Sequence, residues 1–379
     1  AAGGSFFVRA ASGSYFLRFE VLLGCFTFVM FVAPHEMWSN SYAVLGAAGL
    51  FGVAFLMSAA GARREVFPRE FGLPFLLFVM ACLGSLGFTS DRSDSLRVLM
   101  FFAAAFLFMY AAVIGISTKE QLRRLMGFIY AAVMFTALYA FYQRVVGVEV
   151  SASFTDLDLN VGVPGRVYST LDNPNNYAEF LVLFTPLSTA YAMTEKRTFR
   201  RLVLSCLIVL PLGALVMTYS RGCWLSIALS VVIFVYYTDK RLIPVGLVAC
   251  ILLIPFLPDS IMTRISTIFN SHDSSANHRL TTWRGIINMI GDYGITGIGM
   301  GPNTFAELYP DYALTGATRG VYHSQMLYME LILETGALGF ISFMWFMLRE
   351  VKNAAFGLFK ARSQEVRMAL IACGASFDG

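Results

Sequence analysis

The sequence predicts an all-α fold, a polytopic transmembrane helix bundle of at least ten spans. Three observations lead there. The 379 residues are 57% apolar and only 14% charged, with a mean hydropathy of +0.65, whereas soluble domains carry about a quarter charged residues. Apolar runs of about 17 residues or more recur along the chain, each long enough to cross a bilayer as a helix. Helices are also the open-chain elements that satisfy their own backbones in hydrocarbon. Finally, Lys and Arg gather in alternate connections between the runs, as positive charge does on the cytoplasmic side of a membrane.

The runs fall near 16–33, 42–60, 71–88, 96–116, 125–146, 177–193, 202–219, 223–237, 242–257 and 325–348. Basic residues bound them on one side: Arg63, Arg64 and Arg69 between the second and third, then Lys119, Arg123 and Arg124 before the fifth. Lys196, Arg197, Arg200 and Arg201 separate the sixth from the seventh, and Lys240 and Arg241 precede the ninth. Residues 366–377 resemble an eleventh run that stops short. The beginning of the sequence shows no small-residue cleavage site after an apolar run, so no removable signal peptide is expected. With the N-terminus inside, nineteen of the 28 Lys and Arg fall in inner segments and nine in outer ones. Every inner loop is then basic, and ten spans alternate without conflict.

The chain 1–379 therefore reads as a single transmembrane domain. Its inner loops are short. Two outer connections are long: a first outer loop at 147–176, and a large outer loop at 258–324 expected to cap the active site with short helices. Loops of this length in a compact protein are usually functional, which places the function on the outer face. A net charge of +4 does not argue for nucleic acid, and no nucleic-acid motif is present. The cysteines, Cys25, Cys82, Cys206, Cys223, Cys250 and Cys373, show no CxxC pair and lie mostly in apolar runs, as core or lipid-facing thiols do.

In the first outer loop, "PGRVYSTLDNPNNYAEF" (Pro164 to Phe180) is rich in turn residues. Asn175 or Asn176 is expected to cap the helix that follows. Arg166 and Glu179 lie close to the membrane edge and are candidates for substrate binding. In the large loop, Leu280, Trp283, Ile287 and Ile290 recur at helical spacing, suggesting an amphipathic helix on the membrane with Trp283 at the interface. Arg279 precedes Trp283 by four residues, so the two can approach one surface, and Arg284 follows. The loop's charge from 258 to 324 is −1, so its arginines are no general patch for anionic lipid. Gly294, Gly297, Gly299 and Gly301 suit a tight re-entrant turn. A nucleotide loop is a poor reading, because βαβ context and a Walker lysine are both missing. His323 stands just before the tenth span, where a lone histidine is more often an interface hydrogen bonder.

"TYSRGCW" (Thr218 to Trp224) contains Arg221, the one charged residue between Leu202 and Thr238. An arginine at a tight turn can simply snorkel to the interface. Yet arginines on the outer side oppose the usual charge bias, and a planar, permanently charged fork suits diphosphate oxygens bidentately.

"TYSRGCW", "HRLTTW" followed by "GITGIGMGPNTF", and "HSQMLYMELILETGALGF" resemble, in this order, the hallmark stretches of the O-antigen ligase and polymerase superfamily. The resemblance covers roughly 160–345; earlier spans match in hydropathy only. It implies a GT-C-like bundle of about twelve spans in the bacterial cytoplasmic (inner) membrane, working at the periplasmic face. It also implies a metal-independent glycosyltransferase without cofactors. The donor would be a glycan on undecaprenyl diphosphate, and the acceptor a hydroxyl on a glycan, lipid or protein, with membrane lipid around both. Carried over by motif, the outer-turn arginine is Arg221, the loop arginine before a tryptophan is Arg279 with Arg284 a weaker candidate, and the histidine at the return to the membrane is His323. Arg221 and Arg279 are then expected to converge.

The chemistry fits those roles. A diphosphate leaving group needs no proton, and fixed arginines stabilise the charge that grows on its oxygens. The acceptor hydroxyl must lose a proton, which an imidazole can take. No Asp-rich metal motif is visible. Two other classes compete. A secondary transporter favours ionisable groups at the midplane and repeated halves; most charges here sit at span ends, with Glu330 and Glu334 as exceptions unless the tenth helix projects beyond the lipid. A noncatalytic handler of lipid-linked glycans would share the basic outer cavity without needing His323.

Overall fold

The computed structural model describes residues 18–34, 40–57, 71–148, 165–241, 243–244, 262, 274–314 and 321–378. The expected ninth span, apart from 243–244, lies outside the described residues, as do Arg264, Arg319 and much of both expected outer loops. Among the described residues every regular element is helical. In chain order they are α1 (Phe19–Val32), α2 (Asn40–Met57), α3 (Leu73–Ser85), α4 (Arg92–Gly115), α5 (Lys119–Val146), α6 (Pro174–Met193) and α7 (Thr198–Leu207). Then come α8 (Val209–Met217), α9 (Arg221–Asp239), α10 (Ser274–Tyr293), α11 (Pro302–Leu308), α12 (Leu327–Lys360) and α13 (Gln364–Asp378). Each expected run apart from 242–257 coincides with one of these helices or, at 202–219, with the pair α7 and α8. Among the described residues, five helical stretches are long and apolar enough to cross a membrane: Arg92–Gly115, Lys119–Val146, Thr198–Met217 (α7 and α8 together), Arg221–Asp239 and Leu327–Lys360.

The chain forms two compact units. The first comprises 1–39, 115–270 and 353–379, and its core lies between α5, α6 and α8. Val133, Ala137 and Ala140 of α5 meet Tyr177, Ala178 and Leu181 of α6 and Ala214 and Leu215 of α8, all buried. The alanines let the helix backbones approach closely, the usual way helices associate in lipid. Local signals set the ends of α5. Thr118 Oγ1 accepts the Gln121 N–H while Gln121 Oε1 accepts the Thr118 N–H, a complete capping box. Gly147, at φ +95°, closes the other end. Two ion pairs brace the start of α5: Arg124 with buried Glu20 of α1 at 2.6 Å, and Arg123 with Glu195 at 2.9 Å.

The start of α6 corrects the expected cap. Asn173, not Asn175 or Asn176, is the N-cap; its Oδ1 accepts both of their backbone N–H groups, at 2.8 and 3.4 Å. Pro174 at the next position suits a helix start, where no donor is needed.

The second unit comprises 40–114 and 271–352. Phe78 and Cys82 of α3 pack with Phe102 and Phe106 of α4 and with Leu331, Phe340 and Phe343 of α12. A separate cluster joins Ile286 and Met289 of α10 to Ile298, Phe305, Tyr309, Val321 and Leu333. A helix does form where the large loop was expected to hold one, and Trp283 and Ile290 of the expected stripe pack against the cluster. Ile286 and Met289 are buried against Phe305 and Tyr309, and Thr282 is buried as well. Leu280 and Ile287 stand 50% and 56% exposed.

The helix α12 is broken at Gly336, whose φ is +68°. Glu330 and Glu334 lie before the break. The part after it, from 337 to 360, is about 36 Å long at 1.5 Å per residue, enough on its own to span a bilayer.

Candidate functional site

The second unit builds its site on the short turn that leads into α12. Ser324 is fully buried there. Its N–H donates to Glu330 Oε2 at 2.6 Å, and its hydroxyl donates to the Met326 carbonyl at 2.9 Å. Gln325 then takes φ +55°, an unusual conformation for a residue with a side chain. Helix α10 holds this turn with two residues one helical turn apart. The Trp283 indole N–H donates to the Ser324 carbonyl at 2.9 Å. The Arg279 Nε–H donates to Gln325 Oε1, also at 2.9 Å. The spacing of four puts both on one face of the helix.

His323 begins the turn with its side chain 58% exposed. Its Nδ1 lies 3.0 Å from Glu330 Oε1. A carboxylate accepts only, so Nδ1 carries the proton and Nε2 presents its lone pair to an incoming group. The hydrogen bond to Glu330 raises the His323 pKa above its ordinary value. The negative charges of Glu330, Glu334 and Asp94 add to this, and partial burial opposes it. An imidazole so placed can accept a proton and is steadied once it has done so.

Behind the turn, the glycine-rich segment is lashed to α4 and α12. The Ile298 N–H donates to the Leu333 carbonyl, freed by the break in α12, at 2.7 Å. The Gly301 N–H donates to Glu334 Oε1 at 2.9 Å. The Asn303 N–H donates to Asp94 Oδ2 at 3.0 Å, and its amide to Asp91 Oδ2 at 2.9 Å. That amide, with the N–H groups at the start of α4, holds the Asp91 carboxyl below the usual range. Gly297, Gly299 and Gly301 have positive φ and make turns, whereas Gly294, named with them from the sequence, does not and follows the end of α10. Their segment spends donors on protein oxygens, which argues against a phosphate cradle.

In the first unit, Arg221 is the first residue of α9, directly after Ser220. Arg166 is buried behind the same turn. Its Nε–H donates to the Thr218 carbonyl at 2.6 Å, and Nη2 donates to Asn175 Oδ1 at 2.5 Å. Tyr219 follows at φ +53°, and the Trp224 indole N–H donates to the Leu215 carbonyl at 3.1 Å. Arg166 thus holds the bend from which Arg221 emerges.

Of the candidates named from sequence, Arg279, Trp283 and His323 come together on the turn before α12. Arg166, Glu179 and Arg221 are in the first unit, with Glu179 exposed on α6; Arg284 is exposed on α10 in the second.

Residues 206–344 match the family described as O-antigen ligase. The match supports the O-antigen ligase and polymerase superfamily. It takes in Arg221, Arg279, Trp283, Arg284 and His323, and begins beyond Arg166 and Glu179. Together with the apolar helices, it supports an integral membrane protein that handles O-antigen-type glycans by glycosyltransferase-like chemistry, with lipid-linked glycan and acceptor partners in general. Comparison with curated proteins finds no match. Ser324 and Gln325, not singled out from sequence, form the body of the turn within the matched stretch, and Glu330, noted in the sequence only as an ionisable group of the tenth span, is the partner of His323. Glu330 carried a signal, being a carboxylate seven residues after a histidine at the start of an apolar helix.

Proposed function

We propose that the protein transfers a glycan from undecaprenyl diphosphate to an acceptor hydroxyl, as an O-antigen ligase or polymerase, at the outer face of a bacterial cytoplasmic membrane. The observation that carries this reading is the turn before α12, where an exposed imidazole with a carboxylate on Nδ1 shares three residues of backbone with the partner of Arg279. The outer location rests on the distribution of Lys and Arg in the sequence.

In the reaction, Nε2 of His323 takes the acceptor's proton as its oxygen attacks the anomeric carbon. The bond from that carbon to the diphosphate oxygen breaks, and the leaving diphosphate keeps the electron pair. Arg221 and Arg279 are assigned to the charge that appears on it, a task that guanidinium groups perform without a metal ion. Arg221 stands at the start of α9, where unsatisfied backbone N–H groups also favour an anion. Arg166 and Trp283 contribute by holding the two turns. Arg284 and Glu179 are assigned to polar contacts with the substrates.

The test is transfer by purified protein supplied with a polyprenyl-diphosphate oligosaccharide and a panel of acceptors. His323→Ala is expected to lower turnover by roughly 10²–10⁴ while donor affinity stays near that of the parent. If His323→Gln instead weakens donor affinity and turns over normally at saturating donor, the histidine binds the diphosphate and is not the base.

A further inference from the structure

We infer that Glu330 is the positioning residue of this site: one oxygen fixes the tautomer of His323, and the other fixes the turn that carries it. The inference rests on the reading of His323 as the base. Glu330 Oε1 lies 3.0 Å from His323 Nδ1, and Oε2 accepts the Ser324 N–H at 2.6 Å. The carboxylate thereby grips two consecutive residues from one turn into α12. The same turn is held from the other side by Trp283, through the Ser324 carbonyl, and by Arg279, through Gln325. A displaced Glu330 would release the imidazole and loosen the partner of Arg279 with it. A carboxylate near the start of an apolar helix is costly unless hydrogen-bonded, and both of its oxygens here serve the turn.

The groups that set the charge on His323 are Glu330 and Glu334 from α12 and Asp94 from α4, and Arg279 of α10 reaches the adjoining residues. Glu330 makes the largest contribution, and it raises the pKa. A base must be neutral to act, so the low-pH limb of kcat/KM lies at the His323 pKa, above about 6.5. Removing the Glu330 charge lowers that pKa and moves the limb to lower pH. It also removes the partner that steadies the imidazolium, so the plateau falls.

The experiment follows the Cε1 signal of His323 by NMR of histidine-labelled full-length protein in nanodiscs, beside the pH–rate profile of transfer. His323→Asn assigns the signal. In Glu330→Gln the His323 pKa is expected to fall, because the hydrogen bond and charge that raise it are weakened. The kcat at saturating donor should drop by about 10- to 100-fold, as the loss of part of a general base's contribution, with donor KM nearly unchanged. Glu330→Asp keeps the charge but falls short of Nδ1, and its His323 pKa should also fall; it serves if the glutamine variant does not fold. Adding Glu330→Gln to His323→Asn should cost little further, because the two act as one unit. An unshifted His323 signal in both Glu330 variants, or additive losses in the double variant, overturns the role of Glu330. A low-pH limb that survives His323→Asn overturns instead the assignment of His323 as the base.

Discussion

Arg221 stands at the end of a helix where the peptide dipole disfavours a cation, and the buried Arg166 holds the bend behind it. Arg221 is the one charged residue between Leu202 and Thr238, and a guanidinium at a helix start suits contact with an anion. The lysine variant tests whether the fork itself matters. Arg221→Lys keeps the charge and loses the two parallel donors, so transfer should fall by about 10- to 100-fold, equivalent to about 1.5–3 kcal/mol for hydrogen bonds to a charged group. Full activity in the lysine variant would return Arg221 to a snorkelling role. Its type and place were legible in the sequence, as were those of Arg279 and His323. The partner of Arg166 was not, because Thr218 lies 52 positions away and offers only a backbone carbonyl, which every residue has.

Among the elements, α12 and the glycine-rich segment determine each other's shape. Gly336 breaks the helix, and the groups it frees pair with the segment: Leu333 through its carbonyl with Ile298, and Ala337 through its N–H with Ile295. Gly297 sits at φ +75°, and a Cβ there would come within 2.8 Å of the Gly336 nitrogen. Gly297→Ala should therefore lower stability by about 1–3 kcal/mol from backbone strain, seen as a lower melting temperature. Gly291 is the control. It is helical and exposed, and a Cβ there meets nothing within 4 Å, so Gly291→Ala should raise stability by up to about 1 kcal/mol. If the two variants melt alike, the close approach does not hold the segment. The glycines were visible as a turn signal, but their partner in the middle of an apolar run was not, since periodicity alone does not reveal where a helix breaks.

For the molecule as a whole, the orientation is the testable consequence of its charge pattern. Single cysteines placed in an otherwise cysteine-free protein and treated with a membrane-impermeant maleimide on intact cells should separate the two sides. A cysteine at Ile295, 86% exposed, should label from outside. Cysteines between 196 and 201 should label only after the membrane is opened. The reverse pattern would move His323 to the cytoplasmic side and remove the basis for an outer-face transferase. The same assay on the 242–257 run would check the span that lies outside the described residues.

By itself the sequence determined the all-helical architecture and the positions of the apolar helices among the described residues, and it named the candidate residues of the site. These are local properties. A helix satisfies its backbone within its own turns, so an apolar run or a capping box such as Thr118 with Gln121 is readable where it stands. The tertiary structure decided what depends on partners far along the chain. It chose Asn173 as the cap and gave Asn175 to Arg166, a choice composition cannot make among neighbouring asparagines. It seated Ile286 and Met289 of α10 against Phe305 and Tyr309, with Trp283 and Ile290 packed beside them, while Leu280 and Ile287 stay exposed. It also joined His323 to Glu330 across the turn into α12, a pairing set by the path of the backbone between them.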